Sequence, residues 1–148
     1  MKLYHGRKPK EVLDEYRMTV LELGALHAQY AKLLFLGAPR VVGGVAVQDS
    51  ASSRHTNDSE AARMQAQDGV LSKIDELERE KLVLIADFEA VLKRVQSARI
   101  RTVLRFYYAL GNSEEQVAQE MGISRSSINR MRTTILEILS SGERNDTA

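Results

Sequence analysis

The stretch from Ser113 to Leu139 constrains the fold of this chain more than any other part, because it predicts two helices joined by a tight turn. Ser113 and Gln116 have the spacing of a capping box, which marks the start of a helix. Gly122 lies where the chain must turn, and Ser124 is a good N-cap for the second helix. Apolar residues at steps of three and four predict the buried face of this unit: Val117, Ala118, Met121, Ile123, Ile128, Met131, Ile135, Ile138 and Leu139.

The outward face of the second helix has a composition typical of a DNA-reading surface. Arginine, serine and asparagine project between its buried positions, and no acidic residue follows until Glu137. Arginine pairs with guanine edges, asparagine with adenine, and serine with a base or a phosphate. The small side chain of Ala118 and the turn glycine Gly122 are what a helix-turn-helix requires where its helices cross. We therefore interpret the stretch as a helix-turn-helix; a helical hairpin inside a bundle is the alternative.

Charge is distributed unevenly along the chain, although the formal net charge is only +1. Residues 91–133 hold eight Lys/Arg against three Asp/Glu, a net of +5, and the segments on either side are each net −2. A local basic block of this kind is the electrostatic signature of a small nucleic-acid-binding module. Because the net positive charge of this block is moderate, we expect that more than one copy of the chain is needed for high affinity.

Two long amphipathic helices are predicted ahead of this unit, over residues 10–36 and 59–96. Each has apolar residues at helical spacing, with charged residues mostly off that line. Residues 37–58 between them combine glycine with a Ser/Asp/Asn cluster, which predicts a loop. Valines on both sides of Gly43-Gly44 predict a short β-ribbon inside this loop.

The second long helix has an a/d heptad pattern. Apolar series that begin at Val70 and Ile74 recur every seven residues as far as Val91 and Val95, with one polar break at Lys81. Helices of this kind pack as an antiparallel hairpin within one chain, or they bury their stripes against a second copy. We predict a homodimer or higher homo-oligomer formed through this stripe.

A third helix is predicted over residues 97–110, and Gly111 would end it in a left-handed conformation. This helix would support the helix-turn-helix pair. The predicted fold class is therefore all-α, with three parts: a long helical hairpin or coiled-coil stalk (1–96, including the loop 37–58), a C-terminal three-helix helix-turn-helix head (97–140) and a flexible tail (141–148).

The residues that enzymes and metal sites use are scarce in this chain. It has no cysteine, and its histidines, His5, His27 and His55, share no metal-ligand spacing. Its carboxylates lie on charged helix flanks, so we expect no enzyme, no cofactor and no metal. No run approaches the ~18 apolar residues of a membrane span, and the first residues lack the apolar core of a signal peptide. We predict a cytoplasmic protein.

The C-terminal third of the chain resembles the promoter-reading region of bacterial sigma factors. The similar pieces are RTVLRFYY (Arg101 to Tyr108), the segment SEEQVAQEMGISRSSINRM from Ser113, and the trailing apolar helix ILEIL. With the two long helices before it, the whole chain resembles phage late transcription regulators of the ArpU/RinA type. This resemblance implies a DNA-binding regulator of late or packaging genes, often an activator, in the cytoplasm of a bacterial host cell.

The resemblance also implies which side chains touch DNA. Ser126 and Asn129 depart from the more charged sigma pattern, so we expect a different DNA element to be bound. Carried over by position, the base contacts fall on Arg125, Ser126, Asn129 and Arg130. The phosphate contacts fall on Ser124, Ser127 and Arg132. Independently of the resemblance, Arg101 and Arg105 on the polar side of the third helix are further candidates for phosphate contacts; the alternative is that they only solubilise the helix.

The favoured prediction is a sequence-specific DNA-binding transcriptional regulator that reads the major groove with the helix over residues 124–139. Its expected partners are double-stranded DNA, RNA polymerase and a second copy of the chain. The alternative is a protein-binding adaptor or a packaging subunit similar to a small terminase, whose head contacts polymerase or another protein. Binding that falls steeply with salt would distinguish DNA recognition from this alternative.

Overall fold

The structure is a computed structural model that describes the backbone of residues 6–36, 41–42, 45–46 and 53–146, and the side chains of residues 6–35 and 58–141. Its helices confirm the predicted all-α class. In chain order they are α1 (Pro9–Leu36), α2 (Ser53–Lys93), α3 (Ala98–Leu104), a π-helical turn (Arg105–Ala109), α4 (Glu114–Met121) and α5 (Arg125–Asp146).

The ends of two predicted segments differ from the structure. α5 continues to Asp146, so most of the predicted tail 141–148 has a helical backbone, and its last two residues lie outside the described part. α2 begins at Ser53, which places its first turns inside the predicted loop 37–58. Serine and asparagine suit helix starts as well as loops, so composition alone did not locate this boundary.

The predicted β-ribbon is present in the loop. β1 (Val41–Val42) pairs with β2 (Val45–Ala46) in a two-stranded antiparallel arrangement. Valine favours strands, and a glycine pair between two such runs is a hairpin signal. The rest of the loop between α1 and α2 lies outside the described residues.

The contacts within the chain divide it into two compact units. One consists of residues 1–22 and 79–148, and the other consists of residues 23–78. Both α1 and α2 contribute to each unit, because their apolar stripes run along most of the helix. The sequence-based boundary at residue 96 falls inside the first unit, since the start of α1 and the end of α2 share a core with the C-terminal helices.

The core of the first unit is built around aromatic side chains. Phe88 is 1% exposed, and its ring stacks on Tyr16 with the centroids 4.5 Å apart. Tyr108 of the π-helical turn is fully buried in the same cluster. Burying a large apolar side chain stabilises a fold by about 1.5–3 kcal/mol. The cluster also includes Val12, Leu13, Leu84, Val91, Leu92, Val95, Leu104, Ile135 and Leu139.

The predicted heptad stripe of α2 is buried, but within its own chain. In the second unit Val70, Ile74 and Leu77 pack with Leu23 of α1. In the first unit the continuation of the stripe packs with the beginning of α1. The intramolecular alternative is therefore confirmed for this stripe, and its prediction as a dimer interface from Val70 to Val95 is wrong, because α1 already covers it.

The sequence signals around α4 are confirmed in atomic detail. Ser113 Oγ accepts a hydrogen bond from the Gln116 backbone N–H, and Gln116 Oε1 accepts one from the Ser113 backbone N–H at 2.8 Å. Gly111 and Gly122 have φ values of +71° and +67°, the left-handed conformation that glycine adopts at little cost. These local interactions determine where the helix begins and ends.

Replacing Ser113 by alanine is expected to lower the free energy of unfolding by about 1 kcal/mol, because the backbone N–H of Gln116 loses its partner. Urea denaturation followed by circular dichroism measures the change. Gln119→Ala is the matched control, since Gln119 is exposed on the same helix, and its effect should stay within about 0.5 kcal/mol. Equal losses for the two variants would contradict the capping role.

Candidate nucleic-acid interface

The helix-turn-helix is held together by a small core of its own. Val117 and Ala118 of α4 pack with Ile128 of α5 and Val103 of α3, and all four are buried. The short side chain of Ala118 allows the two helices to cross closely. This core determines which side of α5 faces outward.

α5 buries one face and exposes the other along its first turns. Ile128, Ile135 and Leu139 are buried as predicted, but Ile138 is 58% exposed. Its predicted inward position is wrong because each residue turns the helix by about 100°, which takes Ile138 away from the stripe that contains Leu139. The outward face comprises Arg125, Ser126, Asn129, Arg130, Thr133, Thr134 and Glu137.

Arg125 and Arg130 are exposed cations at the beginning of α5. Within the described part of the chain, neither guanidinium takes part in an ion pair, a hydrogen bond or a ring contact. Both are therefore able to neutralise a phosphate or to pair with a guanine edge. The base contacts predicted for both stay predictions.

The serines at the start of α5 form a hydroxyl cluster. Ser124 Oγ accepts a hydrogen bond from the Ser127 backbone N–H at 3.2 Å, which makes Ser124 the N-cap. The hydroxyls of Ser124 and Ser127 are 2.8 Å apart, and that of Ser126 is 3.2 Å from Ser124. Hydroxyls and free backbone N–H groups at a helix N-terminus are common phosphate donors, so the geometry suits the predicted contacts.

Arg132, for which a phosphate contact was predicted, has several partners within the chain. Its side chain is only 15% exposed, and Nη1 donates to Glu114 Oε1 at 2.8 Å. Its guanidinium carbon lies 3.7 Å from the ring centroid of Tyr107, and Nη2 donates to the Tyr108 hydroxyl at 3.4 Å. Burial raises the pKa of that hydroxyl, which stays neutral. Arg132 therefore fastens α5 to α4 and to the π-helical turn.

Arg101 and Arg105 also have partners within the chain. Arg101 Nη1 donates to the carbonyl oxygens of Val95 and Gln96, at 2.5 and 2.9 Å, just after the end of α2. Arg105 forms a two-pronged pair with Glu89 at 2.7 and 3.0 Å, and this hydrogen bonding lowers the pKa of the Glu89 carboxyl. These bonds give both arginines a structural role and use two of the five N–H groups of each guanidinium, so their phosphate contacts stay predictions.

A further arginine, Arg17 of α1, is joined to the head through Tyr107. The guanidinium carbon of Arg17 lies 4.1 Å from the Tyr107 ring centroid, a cation–π contact. Its Nε donates to the carbonyl of Tyr107 at 3.1 Å, and its Nη2 donates to the carbonyl of Asn112 at 3.3 Å. Sequence analysis gave Arg17 no role, because no local pattern relates it to residues about ninety positions away.

An open groove of about 620 Å³ runs along α5 beside the start of α1. Lys10 lines it together with Asn129 and Thr133, so an exposed cation of α1 lies next to the outward face of α5. Sequence analysis missed Lys10, since it belongs to the opposite end of the chain. The other lining residues are Arg132, Leu136, Glu137, Ser140 and Ser141.

Metal-binding clusters and membrane-spanning helices are absent from the described residues. In the described ranges, no three His, Asp or Glu side chains are grouped so that they could hold a metal ion. No helix in the described part of the chain combines the length and the apolar character needed to cross a membrane. Comparisons with protein-family models, curated proteins and solved structures give no match. The geometry of the α5 face is therefore the main guide to function.

Proposed function

We propose that this protein is a sequence-specific DNA-binding transcriptional regulator that reads the major groove with the first two turns of α5. The observation that carries the proposal is the exposed, acid-free face formed by Arg125, Ser126, Asn129 and Arg130 on a helix anchored from behind by Ile128. An α-helix fits the major groove, where arginine and asparagine discriminate guanine and adenine.

The electrostatic contribution of one head is expected to be small. Arg132, Arg101 and Arg105 are engaged within the chain, and the cations without such partners that lie near the reading face among the described side chains are Arg125, Arg130 and Lys10. Each phosphate neutralised on duplex DNA contributes about −0.9 to the slope of log affinity against log salt. If all three neutralised phosphates, a single head would give a slope of about −3, and base contacts by Arg125 and Arg130 would leave a still smaller slope.

This small number of cations favours more than one head per DNA site. We therefore propose that the protein acts as a homodimer or a higher homo-oligomer, so that two heads read two half-sites. The contact between copies does not use the stripe from Val70 to Val95, which α1 covers. Sedimentation of a monomer at micromolar concentration, with a single unrepeated half-site in the DNA, would contradict this part.

The cellular role that we propose is activation of phage late genes in the cytoplasm of a bacterial host, with RNA polymerase as a further partner. Its support is the resemblance of Arg101–Tyr108 and Ser113–Leu139 to the promoter-reading region of sigma factors.

A second candidate function is that of an adaptor or packaging subunit that binds another protein. Leu21 and Leu110 favour it, because both large apolar side chains are exposed in the first unit and Leu21 lies beside Gly111, the residue that follows Leu110. Exposed apolar side chains that lie close together are typical of protein-binding surfaces. Association through such a surface would depend little on salt, whereas DNA binding would weaken steeply.

The experiment that separates the two candidates is a selection from random duplex DNA with the full chain. Wild type and the exposed control variant Thr134→Ala should enrich the same motif, and Arg125→Ala/Asn129→Ala should enrich none. Two-fold symmetry in the motif would show that two heads engage. Absence of any enriched motif with a folded wild-type protein would contradict the proposal and favour the adaptor.

A further inference from the structure

Asn129 of the reading face is hydrogen-bonded to the neighbouring helix. Its Nδ2 donates to Oε1 of Glu114, the first residue of α4, at 3.3 Å. The same oxygen accepts the 2.8 Å bond from Arg132, whose guanidinium rests on Tyr107. The Glu114 side chain is 19% exposed, so its carboxylate is held in place before any ligand binds.

The fixed carboxylate of Glu114 determines which end of the Asn129 amide, the nitrogen or the oxygen, faces it. An ionised carboxylate only accepts hydrogen bonds, so the nitrogen of the Asn129 amide must face Glu114 and its oxygen must face away. Nδ2 has two hydrogens, and the bond to Glu114 uses one of them. The second hydrogen and the amide oxygen remain as an adjacent donor and acceptor. Adenine presents the complementary pair, N7 and the N6 amino group, in the major groove.

We propose that Glu114 is a positioning residue that sets base specificity by orienting Asn129 for adenine. This inference rests on the proposed DNA-reading function of α5. Glu114 acts through Asn129 and does not itself contact the base. Without the carboxylate, the exposed amide is free to rotate and to flip, so ordering it on adenine costs more and its preference over other bases falls.

The test compares base preference in a double-mutant cycle. The selected DNA site is first scanned with Asn129→Ala to find the position whose preference depends on Asn129. Dissociation constants for the four bases at that position are then measured with the full-length wild type, Glu114→Met, Asn129→Ala and the double variant. Methionine fills a similar space but offers no strong acceptor, so it no longer dictates the orientation of the Asn129 amide, whereas the oxygen of a glutamine would still accept from Arg132 and Asn129.

We expect Glu114→Met to reduce the preference for adenine roughly fivefold to tenfold, a part of the ~5- to 150-fold that a bidentate contact supplies. In the Asn129→Ala background the same change should leave the remaining preference unaltered. This non-additivity is the result expected if Glu114 acts through Asn129.

The ion pair between Glu114 and Arg132 is a structural effect that the experiment must separate. The Asn129→Ala background separates the two effects, because a loss that comes from the broken ion pair would persist there, whereas a loss that acts through Asn129 would not. An effect of Glu114→Met that is equal for the four bases, or that persists without Asn129, would overturn the inference while DNA reading remained established. A wild-type protein that enriches no motif would instead overturn the proposed function.

Discussion

Replacing Phe88 by alanine is expected to lower the free energy of unfolding by about 3–5 kcal/mol. The ring is 1% exposed and stacks on Tyr16 in the core that joins the beginning of α1 to the C-terminal helices. Its loss removes the transfer free energy of the side chain and leaves a cavity that several helices would have to close together. The expected loss is a large share of the ~5–15 kcal/mol that stabilises a typical domain.

Urea denaturation followed by circular dichroism gives the size of this effect. Leu82→Ala is the matched control, because Leu82 is on the same helix but 69% exposed, and its effect should stay within about 0.5 kcal/mol. A loss for Leu82→Ala as large as that for Phe88→Ala would contradict the burial pattern of α2. It would show that this side of the helix is covered in solution.

Arg130→Met and Arg132→Met are expected to affect different properties, DNA affinity and stability respectively, although the two residues are only two positions apart on α5. Arg130 is exposed, so its loss should weaken binding to the selected DNA by about 1–3 kcal/mol and leave stability unchanged. Arg132 pairs with the mostly buried Glu114 and lies on Tyr107, so its loss should lower stability by about 1–3 kcal/mol.

Melting temperatures and the salt dependence of DNA binding distinguish the two roles. Arg130→Met should leave the melting temperature unchanged and relax the base preference at one position of the site, and a fall of about 1 in the magnitude of the salt slope would instead assign its guanidinium to a phosphate. Arg132→Met should lower the melting temperature and leave that slope unchanged. A smaller salt slope for Arg132→Met without loss of stability would support the phosphate contact predicted from the sequence and contradict the structural role.

Features that depend on neighbours in the sequence were predictable for this protein. The capping box of Ser113 and Gln116, the left-handed Gly122 and the N-cap Ser124 each act within a few residues, so local chemistry was sufficient to place them. Helical periodicity also located the buried face of α5 around Ile128, apart from Ile138. The exposure of the four predicted base-contacting side chains follows from the same periodicity.

What the sequence by itself determined was therefore the class of the fold, the helix-turn-helix and the outward face of its second helix. Only the tertiary structure decided which arginines are engaged, because the partners of Arg132 and Arg105 are 18 and 16 residues away. It also decided that α1 covers the heptad stripe of α2, a choice that periodicity leaves open. Helical periodicity predicts that a side chain is buried, but only tertiary packing determines which residues it contacts.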